Sequence, residues 1–151
     1  MAKDQGDYAA ARALYKESLS LLREMGIKRY EAYALLGLGL VDLAENKPEG
    51  RGYILDSLRL RVEMGEQLPQ TSSLVGVAGL AWQVGDAAGA ARWLGAVASA
   101  LQMLGAVMES DVKQLHAQTL AAVQAKLGEA AFQSAWEEGE AGRWRRRWRW
   151  L

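Results

Sequence analysis

The chain has 151 residues, of which 50% are hydrophobic and 24% are charged, so it is long enough for one ordinary domain with a continuous core. It contains no cysteine, which excludes disulfides and thiolate chemistry. Its 18 basic and 18 acidic residues cancel, but the last nine residues hold five arginines, which leaves 13 basic against 18 acidic residues in positions 1–142. An acidic body has no electrostatic reason to bind nucleic acid.

No apolar run approaches the ~18–20 residues that a membrane-spanning helix needs. The opening residues, MAKDQGD, lack the apolar core of a signal peptide. We therefore expect a cytoplasmic protein of bacterial type.

The first predicted helix runs from Asp7 to Met25. Asp7 is expected to cap its start, and Gly26 is expected to end it in a left-handed conformation. One face of this helix follows the spacing of buried positions, and it consists of Ala11, Leu14, Tyr15, Leu19 and Leu22.

The second predicted helix, 28–45, is apolar nearly all round its centre and contains Gly37 and Gly39. Each glycine costs a helix about 1 kcal/mol, so we expect a neighbouring helix to pack closely against them. Pro48 is predicted in the first turn of the third helix, which runs to Met64. In that helix Tyr53, Ile54, Leu58 and Val62 are expected to point inward, and Arg51, Arg59 and Arg61 outward.

Four more helices follow, and they are predicted at 69–84, 87–104, 109–127 and 129–140. Every connection between helices is only a few residues long. Successive helices should therefore lie antiparallel.

The first helix recurs along the chain. The stretch Gly6–Gly26 aligns with Asn46–Gly65 and with Gly85–Gly105, at offsets of 39 or 40 residues. A repeat of this length is typical of stacked helix pairs. The sequence therefore predicts an all-α fold, an α-solenoid of antiparallel helix pairs with about seven helices, over positions 1–142. The Arg- and Trp-rich positions 143–151 are set apart as a tail.

The repeat resembles the tetratricopeptide repeat (TPR). Leu38-Gly39 precedes the turn at Asn46 by the family's spacing, and Gly6-Asp7-Tyr8 is followed by Ala11 and Tyr15, where the family has alanine and an aromatic residue. The second copy departs from the family, with an arginine at position 51 where a small residue belongs. The resemblance implies a helical repeat that binds other proteins.

The longer period is similar to the extended TPR region of bacterial regulators of the MalT/LuxR and AfsR kind, where it follows an ATPase module. The stretches 91–106 and 127–141 resemble the closing segments of such regulators. The resemblance implies a partner-binding or sensor part of a signalling or transcriptional regulator. It also raises the expectation that the chain is a fragment of a longer protein, because the first predicted helix resembles the second helix of a TPR pair and the first helix of that pair is not seen before Gly6.

No residue pattern indicates catalysis. His116 is the only histidine, the serines have no partner base, and the glycines lack the lysine and Ser/Thr of a phosphate-binding loop. We therefore predict no enzyme, no cofactor and no metal site, with His116 as an ordinary helix residue.

The predicted binding site is the concave wall that alternate helices would form. The wall residues are Tyr33, Leu36, Leu40, Ser72, Val75, Trp82 and Gln83, and the two aromatic residues among them are the expected anchors. The occupant would be a protein or peptide, such as an amphipathic helix. Two alternatives stay open, namely that these residues are only core, or that the groove binds a small effector as the resemblance implies.

Two further contacts are expected at the ends of the chain. Self-association is predicted through array ends that expose Leu14, Tyr15 and Leu19. The tail consists of Arg143, Trp144, Arg145, Arg146, Arg147, Trp148 and Arg149, followed by 150–151. Three alternatives stay open for the tail. It is non-native or disordered, or it packs on the acidic body or a neighbouring chain, or it binds anionic membranes or nucleic acid.

Overall fold

The structure is a computed structural model and describes residues 5–141. Within this range the chain forms seven α-helices and one short 3-10 helix, with no strand, which confirms the predicted all-α class and the number of helices. The helices are α1 (Gln5–Met25), α2 (Lys28–Ala44), α3 (Gly50–Glu63), α4 (Gln67–Gln83), α5 (Ala87–Leu104), the 3-10 helix η1 (Ser110–Val112), α6 (Lys113–Leu127) and α7 (Glu129–Glu140). The tail lies outside the described residues.

The internal repeat is visible in the structure because three of the helices end in the same way. The glycines after α1, α3 and α5 are Gly26, Gly65 and Gly105, with φ angles of 70°, 70° and 60°. At each of them the next amide donates to the carbonyl five residues earlier, as in the 3.0 Å bond from Ile27 N to Leu22 O. This is a Schellman closure, which only a left-handed residue allows.

The alternate helices end in the same manner. α2 is closed by Asn46 (φ 57°) and α4 by Gly85 (φ 85°), and these two residues lie 39 positions apart. The following amides donate to carbonyls five residues earlier, at 2.8 Å from Lys47 N and 2.9 Å from Asp86 N. The predicted period therefore recurs at the ends of the odd-numbered helices α1, α3 and α5 and at the ends of α2 and α4.

Helix starts follow the prediction less closely. Asp86 caps α5, because its Oδ1 accepts a 2.8 Å bond from the Gly89 amide. Asp7 was predicted to cap α1, but that helix already includes Gln5, so Asp7 lies in its first turn. Pro48 was predicted inside α3, but it lies in the preceding turn, where its carbonyl accepts from the Arg51 amide at 3.4 Å.

The described residues form two compact units. Unit 1 ends at Glu66 and contains α1, α2 and α3, and unit 2 begins at Gln67 and contains α4 to α7. Within each unit, helices that follow one another in the sequence pack together.

In unit 1, α2 is packed between the other two helices. Its core cluster consists of Ala34, Leu35 and Leu38 of α2 with Leu19 of α1. Tyr15 and Leu22 of α1, and Tyr53 and Leu60 of α3, complete this cluster. A helix that is apolar on most sides needs cover on most sides, and α2 receives it from both neighbours.

The two glycines of α2 mark close approaches, as predicted. A side chain at Gly37 would collide with the ring of Tyr15, and one at Gly39 would collide with Ile54. A side chain at Gly50 of α3 would lie 3.0 Å from the Gly39 carbonyl. It would also lie 3.1 Å from the Cβ of Asp42, so the start of α3 lies beside a later part of α2 than Ile54 does, and the two helices are antiparallel. α1 and α2 are antiparallel as well, because Tyr15 lies at Gly37 while the earlier Arg12 pairs with the later Asp42.

An ion-pair cluster joins the start of α1 to the end of α2. Arg12 contacts Asp42 at 2.9 Å and also pairs with Glu45. Asp42 is only 3% exposed, so this guanidinium compensates a buried carboxylate. The hydrogen bond to Glu45, and then the bond to Asp42, raise the pKa of Arg12 against the opposing effect of burial.

In unit 2, α5 packs against α4, α6 and α7. Its contact with α7 is a crossing of two glycines. A side chain at Gly95 would meet the Trp136 carbonyl, and one at Gly139 would meet the Arg92 carbonyl. Because neither glycine has a Cβ, the two backbones approach directly, and the 2.6 Å pair between Arg92 and Glu138 lies beside this crossing.

The predicted orientation of the α3 arginines needs one correction. Arg51 and Arg59 are exposed as expected, but Arg61 is only 5% exposed. Residues two apart on a helix lie on nearly opposite faces, so Arg59 and Arg61 cannot both point outward.

No helix among the described residues is long and apolar enough to cross a membrane.

Candidate functional site

The α2 part of the predicted wall is narrower than expected. Tyr33 is 48% exposed and Leu40 is half-buried, but Leu36 is only 1% exposed. Because α2 lies between two helices, only one strip of its surface remains open. Leu36 is therefore corrected from a wall residue to a core residue.

The α4 part of the wall is largely closed. Ser72 and Val75 are fully buried, and the Ser72 hydroxyl donates a 2.7 Å bond to the Glu109 carboxylate, which fixes the start of η1 to α4. Trp82 is half-buried and packs against the core cluster of unit 2. Of the four predicted residues on α4 and its end, only Gln83 is exposed.

The residues predicted for self-association also include both exposed and buried side chains. Leu14 is 65% exposed, which contradicts its predicted place on the buried face of α1 and agrees with its predicted place at an open array end. Leu19 is only 6% exposed and Tyr15 is half-buried over Gly37. The open surface of α1 therefore lies on another face from the one that contains Leu19.

That open surface is a strip of apolar side chains. Leu14, Leu21 and Met25 are 65%, 52% and 67% exposed, and exposed Ser18 lies between the first two. Their spacing of four, three and four residues places all four on one face of the helix. Three apolar side chains at this spacing, here with one serine among them, are typical of a helix that packs against another helix.

The internal repeat shows how the same strip is used elsewhere. When Gly26 is aligned with Gly65, Leu14 and Leu21 of α1 correspond to Tyr53 and Leu60 of α3. Tyr53 and Leu60 are partly buried against the cluster that α2 provides, whereas their counterparts in α1 are exposed. Leu14 and Leu21 thus correspond to one edge of the α3 face that packs against α2, whereas Tyr15, the counterpart of Ile54, is already covered by α2.

Two exposed tyrosines lie on the neighbouring helix α2. Tyr30 and Tyr33 are 58% and 48% exposed and lie three residues apart on one face. Tyr33 lies one turn before Gly37, the glycine that faces Tyr15 of α1, so it borders α1. We define the uncovered face as the five residues Leu14, Leu21, Met25, Tyr30 and Tyr33.

One edge of the strip on α1 is acidic, whereas the start of α2 carries the exposed basic residues Lys28 and Arg29. The exposed residues Glu17 and Glu24 lie seven residues apart along one edge of the strip. Two nearby arginines pair with other side chains of unit 1, Arg23 with Glu31 at 3.1 Å and Arg29 with Glu66 at 2.7 Å. The face therefore combines an apolar centre with an acidic edge.

A second group of exposed apolar residues lies in unit 2. Met103 and Val107 are 82% and 81% exposed, at the end of α5 and in the connection that follows it. They flank the helix-ending Gly105 and do not form a strip along a helix. This group lacks the length and the regular spacing of the uncovered face.

Across 5–141 no group of three or more acidic or histidine side chains could hold a metal ion. Every buried polar side-chain atom in this part of the chain has a hydrogen-bond partner. Burial lowers the pKa of His116, because a half-buried site disfavours the charged imidazole.

Sequence reasoning anticipated Tyr33 and Leu14 but missed Leu21, Met25 and Tyr30. The signal was present in the repeat, since aligning α1 with α3 shows which α1 residues have counterparts covered by a preceding helix. Comparisons of the chain with protein-family models, with curated proteins and with solved structures found no match.

Proposed function

We propose that the protein is a protein-interaction module whose uncovered face binds an amphipathic helix of a partner protein. The observation that supports this is the grouping of five large apolar side chains, each about half exposed or more, on two adjoining helices of unit 1. Contiguous exposed apolar surface on a folded protein usually marks an interaction site.

The size of the face suits a single helix. A tyrosine buries up to ~150–250 Å² in a contact, so each half-exposed ring of the face offers about 100 Å². The two tyrosines and three aliphatic side chains form the apolar centre of the interface that we propose, and neighbouring polar residues form its rim. Tyrosine is also among the residues that most often dominate binding energy.

The resemblance described above supports the wider setting of this proposal. A TPR-like repeat is a scaffold for binding other proteins, and the similarity to the MalT/LuxR and AfsR regulators suggests the partner-binding part of a cytoplasmic bacterial signalling or transcriptional regulator. The recurring helix ends at 39- and 40-residue intervals support the repeat itself. The role we propose is binding and not catalysis.

The test is a selection of helical peptides against the full chain. A displayed library of 18-residue amphipathic helices is selected for binding, and each selected peptide is then measured against Leu21→Asp and Gln118→Asp. Leu21 lies on the uncovered face of unit 1, whereas Gln118 is exposed on α6 of unit 2. We expect Leu21→Asp to weaken binding ~10-fold or more, because it places a charge inside an apolar contact, which costs at least about 1.4 kcal/mol.

Gln118→Asp is the matched control, and it should change affinity by less than about 2-fold, because an exposed position away from the contact contributes little. Both variants should unfold at the same denaturant concentration as the original chain. A selection that yields no peptide sensitive to Leu21→Asp would contradict the proposed function.

A further inference from the structure

We infer that α7 exchanges between two copies of the chain, so that the α7 of each copy completes the core of unit 2 in the other. In the exchanged dimer, α6 and α7 join into one continuous helix over 113–140. This interaction is independent of the uncovered face of unit 1, and its partner is a second copy of the chain.

A single residue separates α6 from α7. Gly128 caps the end of α6 and also the start of α7. Its amide donates to the Gln124 carbonyl at 3.0 Å, and its carbonyl accepts from the Phe132 amide at 3.0 Å. Both bonds have the four-residue spacing of an α-helix. The break between the two helices therefore lies in the torsion angles of this one residue.

These torsion angles suit glycine alone. At φ 78° and ψ 168°, Gly128 has a backbone conformation that is essentially closed to residues with a side chain. The flanking segments, 124–127 and 129–132, consist mostly of residues that favour a helix, with the sequences QAKL and EAAF. A link this short between two helices is a typical hinge for the exchange of an element between copies.

The contacts of α7 do not depend on this link. α7 packs mainly against α5 and only slightly against α6, its neighbour in the sequence. Gly95 and Gly139 let the backbones of α5 and α7 meet, and Ala135 belongs to the core cluster of unit 2 with Ala90 and Ala91. The α7 of another copy can make all of these contacts equally well.

A second copy is the partner that fits, because it carries both sides of this contact. If α7 moves away from its own chain, it uncovers Ala90, Ala91 and Val123, which are completely buried in the structure. Such an apolar surface must be covered again. A second copy opened in the same way offers an identical α7, with Phe132 and Gly139 at the required spacing, and exposes the same surface in return. The closed chain and the exchanged dimer therefore bury the same apolar contacts.

Gly128→Ala should shift the balance toward the dimer. A Cβ at Gly128 would meet no neighbouring atom within 4 Å, so alanine disfavours the closed chain only through its backbone angles. In the joined helix the same alanine is favourable. We expect the dissociation constant of the dimer to fall ~100-fold or more, because each dimer relieves two such links. Sedimentation equilibrium of the full chain measures this.

Gly105→Ala is the matched control. Gly105 is also left-handed, at φ 60°, and a Cβ there would meet nothing within 4 Å. Residues 105–109 separate α5 from η1, so alanine at this position does not join two helices. It should destabilise the chain without producing a dimer. A dimer in this control would overturn the inference, as would a Gly128→Ala chain that stays monomeric or does not fold.

Cross-linking distinguishes exchange of α7 from other kinds of association. Arg92 of α5 and Glu138 of α7 form a 2.6 Å pair, and the chain has no cysteine of its own. Two versions of the full chain, Arg92→Cys and Glu138→Cys, are unfolded, refolded together at high concentration and treated with a bifunctional maleimide. We expect a linked product that contains one chain of each version, and adding Gly128→Ala to both versions should increase its yield.

A dimer that forms without this mixed product would show association through another surface and would overturn the inference. Absence of the mixed product from both the original and the Gly128→Ala background would overturn it as well. Leu21→Asp, which lies on the uncovered face, should leave the yield of the mixed product unchanged. Failure of peptide binding through Leu21 and failure of α7 exchange are therefore separate results.

Discussion

At the scale of single residues, Gly95 and Gly139 determine how closely α5 and α7 approach. Each lies against a backbone carbonyl of the other helix, which cannot move aside in the way that a flexible side chain can. The close spacing between α5 and α7 therefore requires that neither residue has a side chain. A methyl group at either position would push the helices apart.

We expect Gly139→Ala to lower the free energy of unfolding by about 2 kcal/mol, because overpacking at a close contact outweighs alanine's better helix propensity. Urea denaturation followed by circular dichroism measures this. Gly52→Ala is the matched control, since a Cβ at Gly52 of α3 meets nothing within 4 Å. It should raise stability by up to ~1 kcal/mol. Equal effects of the two substitutions would contradict the account of the crossing.

His116 gives a pH dependence whose sign follows from its burial. Burial lowers its pKa from the ordinary value of 6.5, so the unfolded chain takes up a proton at a higher pH than the folded protein does. The stability that this difference contributes is complete above pH 6.5 and is lost as the pH falls below it. We expect the urea midpoint to fall less between pH 7.5 and 5.5 in His116→Gln than in the original chain. If the urea midpoint fell by the same amount in His116→Gln as in the original chain, this prediction would be contradicted.

At the scale of helices, the Arg12 cluster joins α1 to α2. Asp42 has only 4% of its side chain exposed, so removing its partner leaves a buried charge without compensation. The exposed pair between Arg59 and Asp56 lacks this burial, with 57% and 49% of the two side chains accessible. Geometry alone does not distinguish the two pairs, since both are 2.9 Å long.

We therefore expect Arg12→Met to lower the midpoint of urea denaturation clearly and Arg59→Met to leave it nearly unchanged, as for most surface ion pairs. Combining Arg12→Met with Asp42→Leu should recover part of the loss, since the buried charge is then removed as well. A double variant that is less stable than Arg12→Met alone would show that the carboxylate has another role.

The ends of the helices were the most predictable feature of the fold. The bounds of α5 and α7 match those predicted from the sequence. For α5 the reason is Gly105, since a glycine in a left-handed conformation is a local requirement that the sequence displays, whereas α7 ends at Ala141 without such a residue. The start of α6 was missed by several residues, since Ser110–Val112 form a 3-10 turn first. Helix starts without a capping side chain, such as that of α3, have no comparable local signal.

At the scale of the whole molecule, the candidate site was less predictable than the helices. Sequence periodicity located α2 and α4, but which of their residues remain open depends on how many neighbours each helix has. Leu36 and Val75 are apolar residues on these helices, as Leu14 is on α1, and only packing distinguishes buried from exposed leucine and valine. The repeat alone does not show which residues are buried. It does so only after the structure has shown that Tyr53 and Leu60 of α3 pack against the cluster of α2.

Charge is distributed unevenly along the chain, and this gives a prediction about the tail. All five arginines of 143–151 lie beyond a body in which acidic residues are in excess. Any binding of the full chain to anionic vesicles should therefore be weak, fall steeply with salt, and disappear when these five arginines are replaced by glutamine. Co-sedimentation with vesicles at 50 and 300 mM salt, roughly a halving of the screening length or more, measures this. Binding that survives the replacement would place the membrane contact in the body.

The most direct test of the central claim is to follow the methyl and aromatic NMR signals of the full chain while a selected helical peptide is added. We expect the largest shifts at the uncovered face of Leu14, Leu21, Met25, Tyr30 and Tyr33. Met103 and Val107 of unit 2, which are more exposed than any residue of that face, should not shift. Shifts concentrated at Met103 and Val107, with the uncovered face unchanged, would contradict the claim that unit 1 binds the partner.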